Sequence, residues 1–185
     1  MSKVLVIIST GFEEIEAVTI IDVLRRANIE VVISTINDIL TVGANGIVIQ
    51  ANQYLKDIKN TEQFDMIVLP GGGQNTENLA SSSLVKQTLK NMKKNNKYIA
   101  AICAAPYALH KAEVLNKNYT CYPSFENKIR LDGYQSDTKN VVIDDKVITS
   151  RGPATAMSFA LELIKLLKNE KTYQQIKNGL LANNY

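Results

Sequence analysis

The sequence predicts an α/β fold of the doubly wound kind, a mostly parallel sheet with helices on both faces. Short, fully apolar runs alternate with segments of helical period along the whole chain. Several of those runs end in small or turn-forming residues just before a helix: Ser9-Thr10-Gly11, Pro70-Gly71-Gly72-Gly73, Cys103-Ala104-Ala105-Pro106 and Arg151-Gly152-Pro153. No repeat, linker or low-complexity tract divides the 185 residues, so one domain over 1–185 is expected.

Taken in order, 4–8 (Val-Leu-Val-Ile-Ile) reads as a strand buried on both faces. Residues 13–28 read as a helix, with Thr10 and Glu13 spaced as a capping box. A strand follows at 30–35. The runs 39–42 and 47–50 flank Gly43-Ala44-Asn45-Gly46, a hairpin signal. Residues 66–69 form a strand closed by Pro70 and three glycines, read as a tight turn. A helix is expected over 84–94, a strand over 98–102 and a helix over 104–112. Cys121 is placed in a short strand. Residues 141–143 and 147–149 pair around Asp144-Asp145, and helices cover 154–168 and about 173–181.

Composition excludes several function classes. Two cysteines and one histidine are too few for a disulfide scaffold or a structural zinc site, and no metal or other cofactor is expected. A single histidine leaves little room for a serine or cysteine triad. The formal charge of +3 comes from scattered lysines, so nucleic acid is not expected as a stable partner. No apolar run approaches a membrane span, and the N-terminus lacks a signal-peptide pattern. A cytoplasmic location is the expectation.

In doubly wound folds ligands sit beyond the carboxyl ends of the strands. There, Glu13, Glu14 and Glu16 occupy the first turns of a helix, where the helix dipole favours negative charge. Glu16 differs from the other two because it lies on the inward-leaning stripe. A carboxyl held in apolar surroundings has a raised pKa and can donate a proton. The glycine run at 71–73 fits neither a P-loop nor a dinucleotide fingerprint; its exposed N–H groups could hold an oxyanion, or it could be a plain turn. Cys103 sits where a strand turns into a helix among small neighbours, the environment of a nucleophile elbow. A helix N-terminus there should lower its thiol pKa. His110 lies on the same helix two turns away, ~10.5 Å along the axis, beyond reach of the thiol and on the surface. Arg151-Gly152-Pro153 before the last long helix suits an anion-facing turn as well as a plain one.

Together these pieces resemble the ThiJ/PfpI superfamily, and within it the branch of the parkinsonism-associated deglycase. The resemblance runs from Lys3 to about Leu181. It rests on Gly11-Phe12-Glu13-Glu14-Ile15-Glu16, Asp22 to Ala27, Val68 to Gly72, Ala100 to Pro106 and Thr149 to Pro153. It implies a flavodoxin-like sandwich that forms a homodimer. It implies that Cys103 is the reactive cysteine, and that Glu16 is the glutamate whose protonated carboxyl faces it. Gly72 and Ala104 match the backbone donors of an oxyanion hole. Arg26 matches an arginine near the dimer interface and pocket, and Arg151 to Pro153 match the pocket rim. Where some members carry a histidine before a proline, this chain has Tyr122 before Pro123, so no Cys–His pair is implied.

The implied activity is that of a glutathione-independent glyoxalase or protein deglycase, acting on methylglyoxal, glyoxal or glycated adducts. An oxidative-stress sensor or redox-regulated chaperone using the same cysteine is the alternative. An inert small-molecule binding module is a third reading.

Overall fold

The computed structural model describes residues 1–136 and 138–182. Its main sheet has seven strands in the order β5-β2-β1-β6-β7-β9-β8. In chain order the elements are β1 (Lys3–Ile8), α1 (Glu14–Arg26), β2 (Glu30–Thr35), β3 (Leu40–Val42), β4 (Val48–Gln50), β5 (Gln53–Tyr54) and β6 (Met66–Leu69). Then come α2 (Gly73–Ser81), α3 (Ser83–Lys94), β7 (Tyr98–Ile102), α4 (Pro106–Lys111), α5 (Glu126–Ile129), β8 (Val141–Asp144) and β9 (Val147–Ser150). The chain closes with α6 (Ala156–Leu167) and α7 (Glu170–Gly179). All neighbours in the main sheet are parallel except β8 and β9.

The apolar strands are apolar throughout because they are covered twice. Val4, Val6 and Ile8 of β1 join one core with α1 and α6. Leu5 and Ile7, between them, join a second core with α3 and α4. β6 and β7 split in the same way: Val68 and Ala100 go to the first core, Ile67 and Ala101 to the second. The strand period of two places successive residues on opposite faces, and each face meets a helix layer.

The chain leaves β1 toward β2 on one side and later returns to β6 on the other. The crevice between β1 and β6 is therefore the switch point of the sheet, where such folds place their sites. The loops after β1, β6, β7 and β9 all emerge at this edge.

The structure differs from the sequence reading in specific places. The glycine run makes a strand-to-helix turn as expected, with Gly72 as N-cap at φ 94°, but the helix it opens, α2, has no counterpart in the sequence reading. The Thr10–Glu13 capping box does not form. Glu13 is itself the N-cap of α1 and makes no side-chain cap, and its N–H donates to Gly71 O at 3.1 Å. Cys121 lies outside any strand; beside it only an isolated bridge links Tyr119 and Tyr134. The short strand β5 carries too little pattern to be read. The β3–β4 hairpin stands as a separate two-stranded sheet.

Glu14 fastens that hairpin to the body. Its carboxylate accepts from Asn45 N at 2.6 Å, Asn45 Nδ2 at 2.9 Å and Ile47 N at 3.3 Å. Burial pushes the Glu14 pKa up, but these bonds outweigh it and hold the group below its ordinary 4.5. A carboxyl depressed in the folded state stabilises above its unfolded value and stops doing so as pH falls through the folded one. The latch is thus closed at neutral pH and released in acid. Glu14→Ala is expected to speed amide exchange at Asn45 and Ile47 by at least roughly tenfold at pH 7. Hydrogen exchange followed by mass spectrometry measures this, and unchanged rates would show that the hairpin is held by other contacts.

Candidate active site

Cys103 sits between β7 and α4 at φ 64°. A left-handed backbone at a residue with a side chain costs about 1–2 kcal/mol, so the surroundings must impose it. Three backbone bonds do: Cys103 N to Ser150 O (2.9 Å), Tyr122 N to Cys103 O (2.7 Å) and Ala105 N to Ile102 O (3.0 Å). Ala104 and Ala105 are buried beside it, where larger side chains would prevent the approach of α4. The elbow expected from the sequence is present, although α4 begins only at Pro106.

Glu16 is fully buried in the first turn of α1. Its Oε2 accepts from Gly71 N at 2.7 Å, while Oε1 is buried with no hydrogen-bond partner. Burial pushes its carboxyl up to about 7, and the negative Glu13 adds to this; the Gly71 N–H and the Cys103 thiol pull the other way. Cys103 and Glu16 meet across Gly71. A Cβ on Gly71 would lie 2.6 Å from Glu16 Oε2 and 3.0 Å from Cys103 Sγ. No other residue type fits there.

The thiol departs from the sequence expectation. Burial pushes the Cys103 pKa well above the ordinary thiol value, and Glu16 raises it further through its charge and side-chain hydrogen bond. The backbone N–H groups of Ala104 and Gly72 lower it by less. A thiol that is 8% exposed loses more from desolvation than these two amides return. Ionising either group disfavours ionising the other, so sulfur and carboxyl titrate as one pair.

Gly72 is required by its geometry. At φ 94°, a Cβ would fall 2.2 Å from Gly11 O. That tight approach seats the 71–73 loop against the β1–α1 loop and turns the Gly72 N–H toward the sulfur.

Beside this pair lies a cavity of about 250 Å³ lined by Tyr122, Arg151, Gly152 and Pro153, among others. Cys103 does not itself line it, but the two segments that lead into its wall bond the Cys103 backbone, through Tyr122 N and Ser150 O. Arg151 Nε is buried and has no hydrogen-bond partner. Arg26 does not join the group. It is exposed at the far end of α1, roughly 15 Å from Glu16 along the axis, and pairs with Asp22 at 2.8 Å.

His110 is half-buried rather than fully on the surface, and lies at the end of α4 away from the thiol. Burial and the charges of Arg130 and Lys111 hold its pKa below the usual imidazole value. Cys121 is buried against Tyr119 and Ile129, and burial first, then the Glu126 charge, push its thiol up to about 12. Both cysteines are free. Among the described residues no cluster of three or more His, Cys, Asp or Glu could hold a metal ion.

Sequence reasoning missed Gly71. Its N–H is the donor to Glu16, and its missing side chain makes room for both reactive groups. The glycine run was the available signal, but which glycine meets which partner depends on long-range packing.

The DJ-1/PfpI family model matches residues 2–166. Protein dj-1beta of Drosophila melanogaster is 39% identical over 191 aligned positions, covering 98% of both chains. Glutathione-independent glyoxalase DJR-1.2 of Caenorhabditis elegans is 37% identical, covering 92% of this chain and 91% of its own. Among solved structures, oxidized Toxoplasma gondii DJ-1 superposes with a TM-score of 0.91 at 36% identity, covering 98% of each chain. An elbow cysteine facing a buried glutamate, on a fold shared end to end with these proteins, leads to one assignment: the chain belongs to the DJ-1/PfpI family.

Proposed function

We propose that this chain, as one domain over 1–185, is a cysteine-dependent, glutathione-independent glyoxalase that also acts as a deglycase on the corresponding adducts. The observation that carries the reading is the Cys103–Glu16 pair, buried beside an open cavity with a carboxyl poised at about 7. A relative of similar length is named for that activity.

In the proposed reaction, the Cys103 thiol adds across the aldehyde of methylglyoxal. A sulfur–carbon bond forms, and Glu16 takes the thiol proton and delivers it to the carbonyl oxygen, giving a hemithioacetal. The Gly72 and Ala104 N–H groups face the sulfur and support the developing oxyanion. Glu16, again ionised, removes the proton from the former aldehyde carbon, and a proton is returned at the neighbouring carbon. The aldehyde carbon is oxidised and the ketone carbon reduced, so no external oxidant or reductant is needed. The product is a lactoyl thioester on Cys103. Water cleaves it to lactate and regenerates the thiol. Tyr122, Arg151 and Pro153 form the wall against which the rest of the substrate rests.

Glu16 must be ionised to take the first proton. The rate should therefore rise with pH through about 7 and flatten above it. Cys103→Ala should abolish lactate formation from methylglyoxal. Glu16→Gln should lower kcat about 100-fold or more and move the pH limb upward, toward the raised range of the isolated thiol. Lactate measured across pH 5.5–9, a span of roughly 1.5 units or more on either side of that midpoint, checks all three. A Cys103→Ala variant as active as the parent would end this mechanism.

The same site favours the sensor reading in one respect. A sulfinate at Cys103 would meet a Glu16 carboxyl that is half protonated near neutrality, together with two backbone donors. Mild peroxide should therefore oxidise Cys103 ahead of the fully buried Cys121, which peptide mass spectrometry would resolve. Equal oxidation of both would count against a sensing role.

We also propose a homodimer in the cytoplasm. Ile15 and Val18 on α1 and Leu40, Val42, Ile47 and Val48 on the hairpin are all exposed, and Glu14 holds the two segments together. Six exposed apolar side chains gathered on two linked segments are suited to a second copy. Two free cysteines suit a reducing compartment, and among the described residues no helix is long and apolar enough to cross a membrane. Ile15→Asp with Val48→Asp should convert the dimer to monomer, read by light scattering after size exclusion.

A further inference from the structure

We propose that Asn75 is a positioning residue for the active site: its single side-chain amide sets the orientation of the two peptide planes that carry the Gly71 and Gly72 N–H donors. The proposal rests on reading Cys103 and Glu16 as the reactive pair.

Asn75 is fully buried in the first turn of α2. Its Oδ1 accepts from Ser9 N at 2.7 Å. Its Nδ2 donates to Pro70 O at 2.8 Å and to Gly71 O at 3.0 Å. The chemistry of the partners fixes which end is which, since a backbone N–H needs an acceptor and two carbonyls need donors.

A peptide unit is planar, and its C=O and N–H point in opposite directions. Pro70 O and Gly71 N belong to one such unit. Asn75 holds the carbonyl end, and the N–H at the other end donates to Glu16 Oε2 at 2.7 Å. Gly71 O and Gly72 N belong to the next unit. Asn75 holds that carbonyl too, aided by Glu13 N at 3.1 Å, and the opposite N–H faces the Cys103 sulfur. Both catalytic donors are thus aimed from behind by one side chain. Glycine is free at both hinges, so without this clamp the two planes could rotate. The Ser9 bond anchors the clamp to the end of β1, across the switch point of the sheet.

Asparagine has the required valence. It supplies one acceptor and two donors in a plane. Aspartate lacks the donors, and alanine has neither.

Asn78 provides the internal control. Its Nδ2 donates to Ser9 Oγ at 2.8 Å, so it belongs to the same polar network, but it does not touch the carbonyls of Pro70 or Gly71. A purely structural role for the network predicts similar behaviour for Asn75 and Asn78.

The test is the pH midpoint of Cys103 alkylation by iodoacetamide, read by peptide mass spectrometry. The Gly71 N–H favours ionised Glu16 and the Gly72 N–H favours the thiolate. Where the thiol titrates Glu16 is already ionised, so misaiming the Gly72 N–H raises the alkylation midpoint, whereas misaiming the Gly71 N–H raises the Glu16 pKa and is read in the pH limb of turnover. Asn75→Ala should raise the alkylation midpoint by about one pH unit. The same variant should lower kcat on methylglyoxal about 100-fold, with KM changed by less than roughly threefold. Asn75→Ser can return one hydroxyl donor to the carbonyl four residues back. It should fall between parent and alanine, and it carries the test if the alanine variant does not fold. Asn78→Ala should keep the parental midpoint even where its Tm is lower. A parental midpoint in both Asn75 variants, or an equal rise in Asn78→Ala, would overturn the proposal. Alkylation needs no turnover, so a chain inactive on methylglyoxal would sink the glyoxalase reading and leave this test standing.

Discussion

A carboxyl group has been taken out of water and given one backbone donor. Glu16 is fully buried, its Oε2 faces the Gly71 N–H, and its Oε1 faces nothing that donates. An ionised carboxylate so placed would be poorly compensated, and the group answers by holding its proton up to about 7. That response makes it useful. A solvated glutamate would be ionised throughout the physiological range and could not return a proton to substrate. Cys103 adds the second half of the constraint, since its own burial prevents a permanent thiolate beside a permanent carboxylate.

The rest of the architecture serves that contact. Bringing a residue from the start of α1 against a residue from the end of β7 requires the β6 loop between them to have almost no thickness. Gly71 has no room for a Cβ, and Gly72 passes within atomic contact of Gly11 O. Ala100 and Ala101 in β7, and Ala104 and Ala105 after it, remove bulk on the other side. Cys103, at positive φ, has its sulfur against Gly71 of the β6 loop. The strain there is sustained by hydrogen bonds to Ser150 and Tyr122, the neighbours of the cavity wall. The geometry of Cys103 and the position of the cavity wall are therefore two results of the same backbone bonds.

This division also explains which parts could be read from the residues in order. An apolar run is a local pattern, and β1, β6 and β7 were legible as strands; which of the two cores each residue joins is decided by the helices packed on either face. Glu16 and Cys103 stood out because one is a carboxylate on an inward stripe and the other a thiol at a strand end. Apart from β5, which is too short to carry a pattern, the clearest failures were cases where a distant partner decided the outcome. The capping box was lost because the Glu13 N–H was already engaged by Gly71 O. The thiol pKa moved opposite to the helix-terminus expectation because burial by the β1 and β6 loops outweighed two amides. Gly71 and Asn75 carry no chemistry of their own type. Their importance lies in which peptide planes they border, and no sequence spacing expresses that.

The single histidine takes its final meaning from geometry. A Cys–His site could divide its labour, the imidazole activating the sulfur while a carboxylate merely orients it. Here His110 sits at the far end of α4, and Tyr122 occupies the cavity wall as a half-exposed phenol. In the proposed reaction proton transfer falls on Glu16, both when sulfur attacks and when the carbon skeleton rearranges. A base used twice in one cycle must be regenerated between steps, and a pKa near neutrality is what makes gain and loss comparably easy. The glutamate cannot be more acidic without failing to give the proton back, nor more basic without failing to take it.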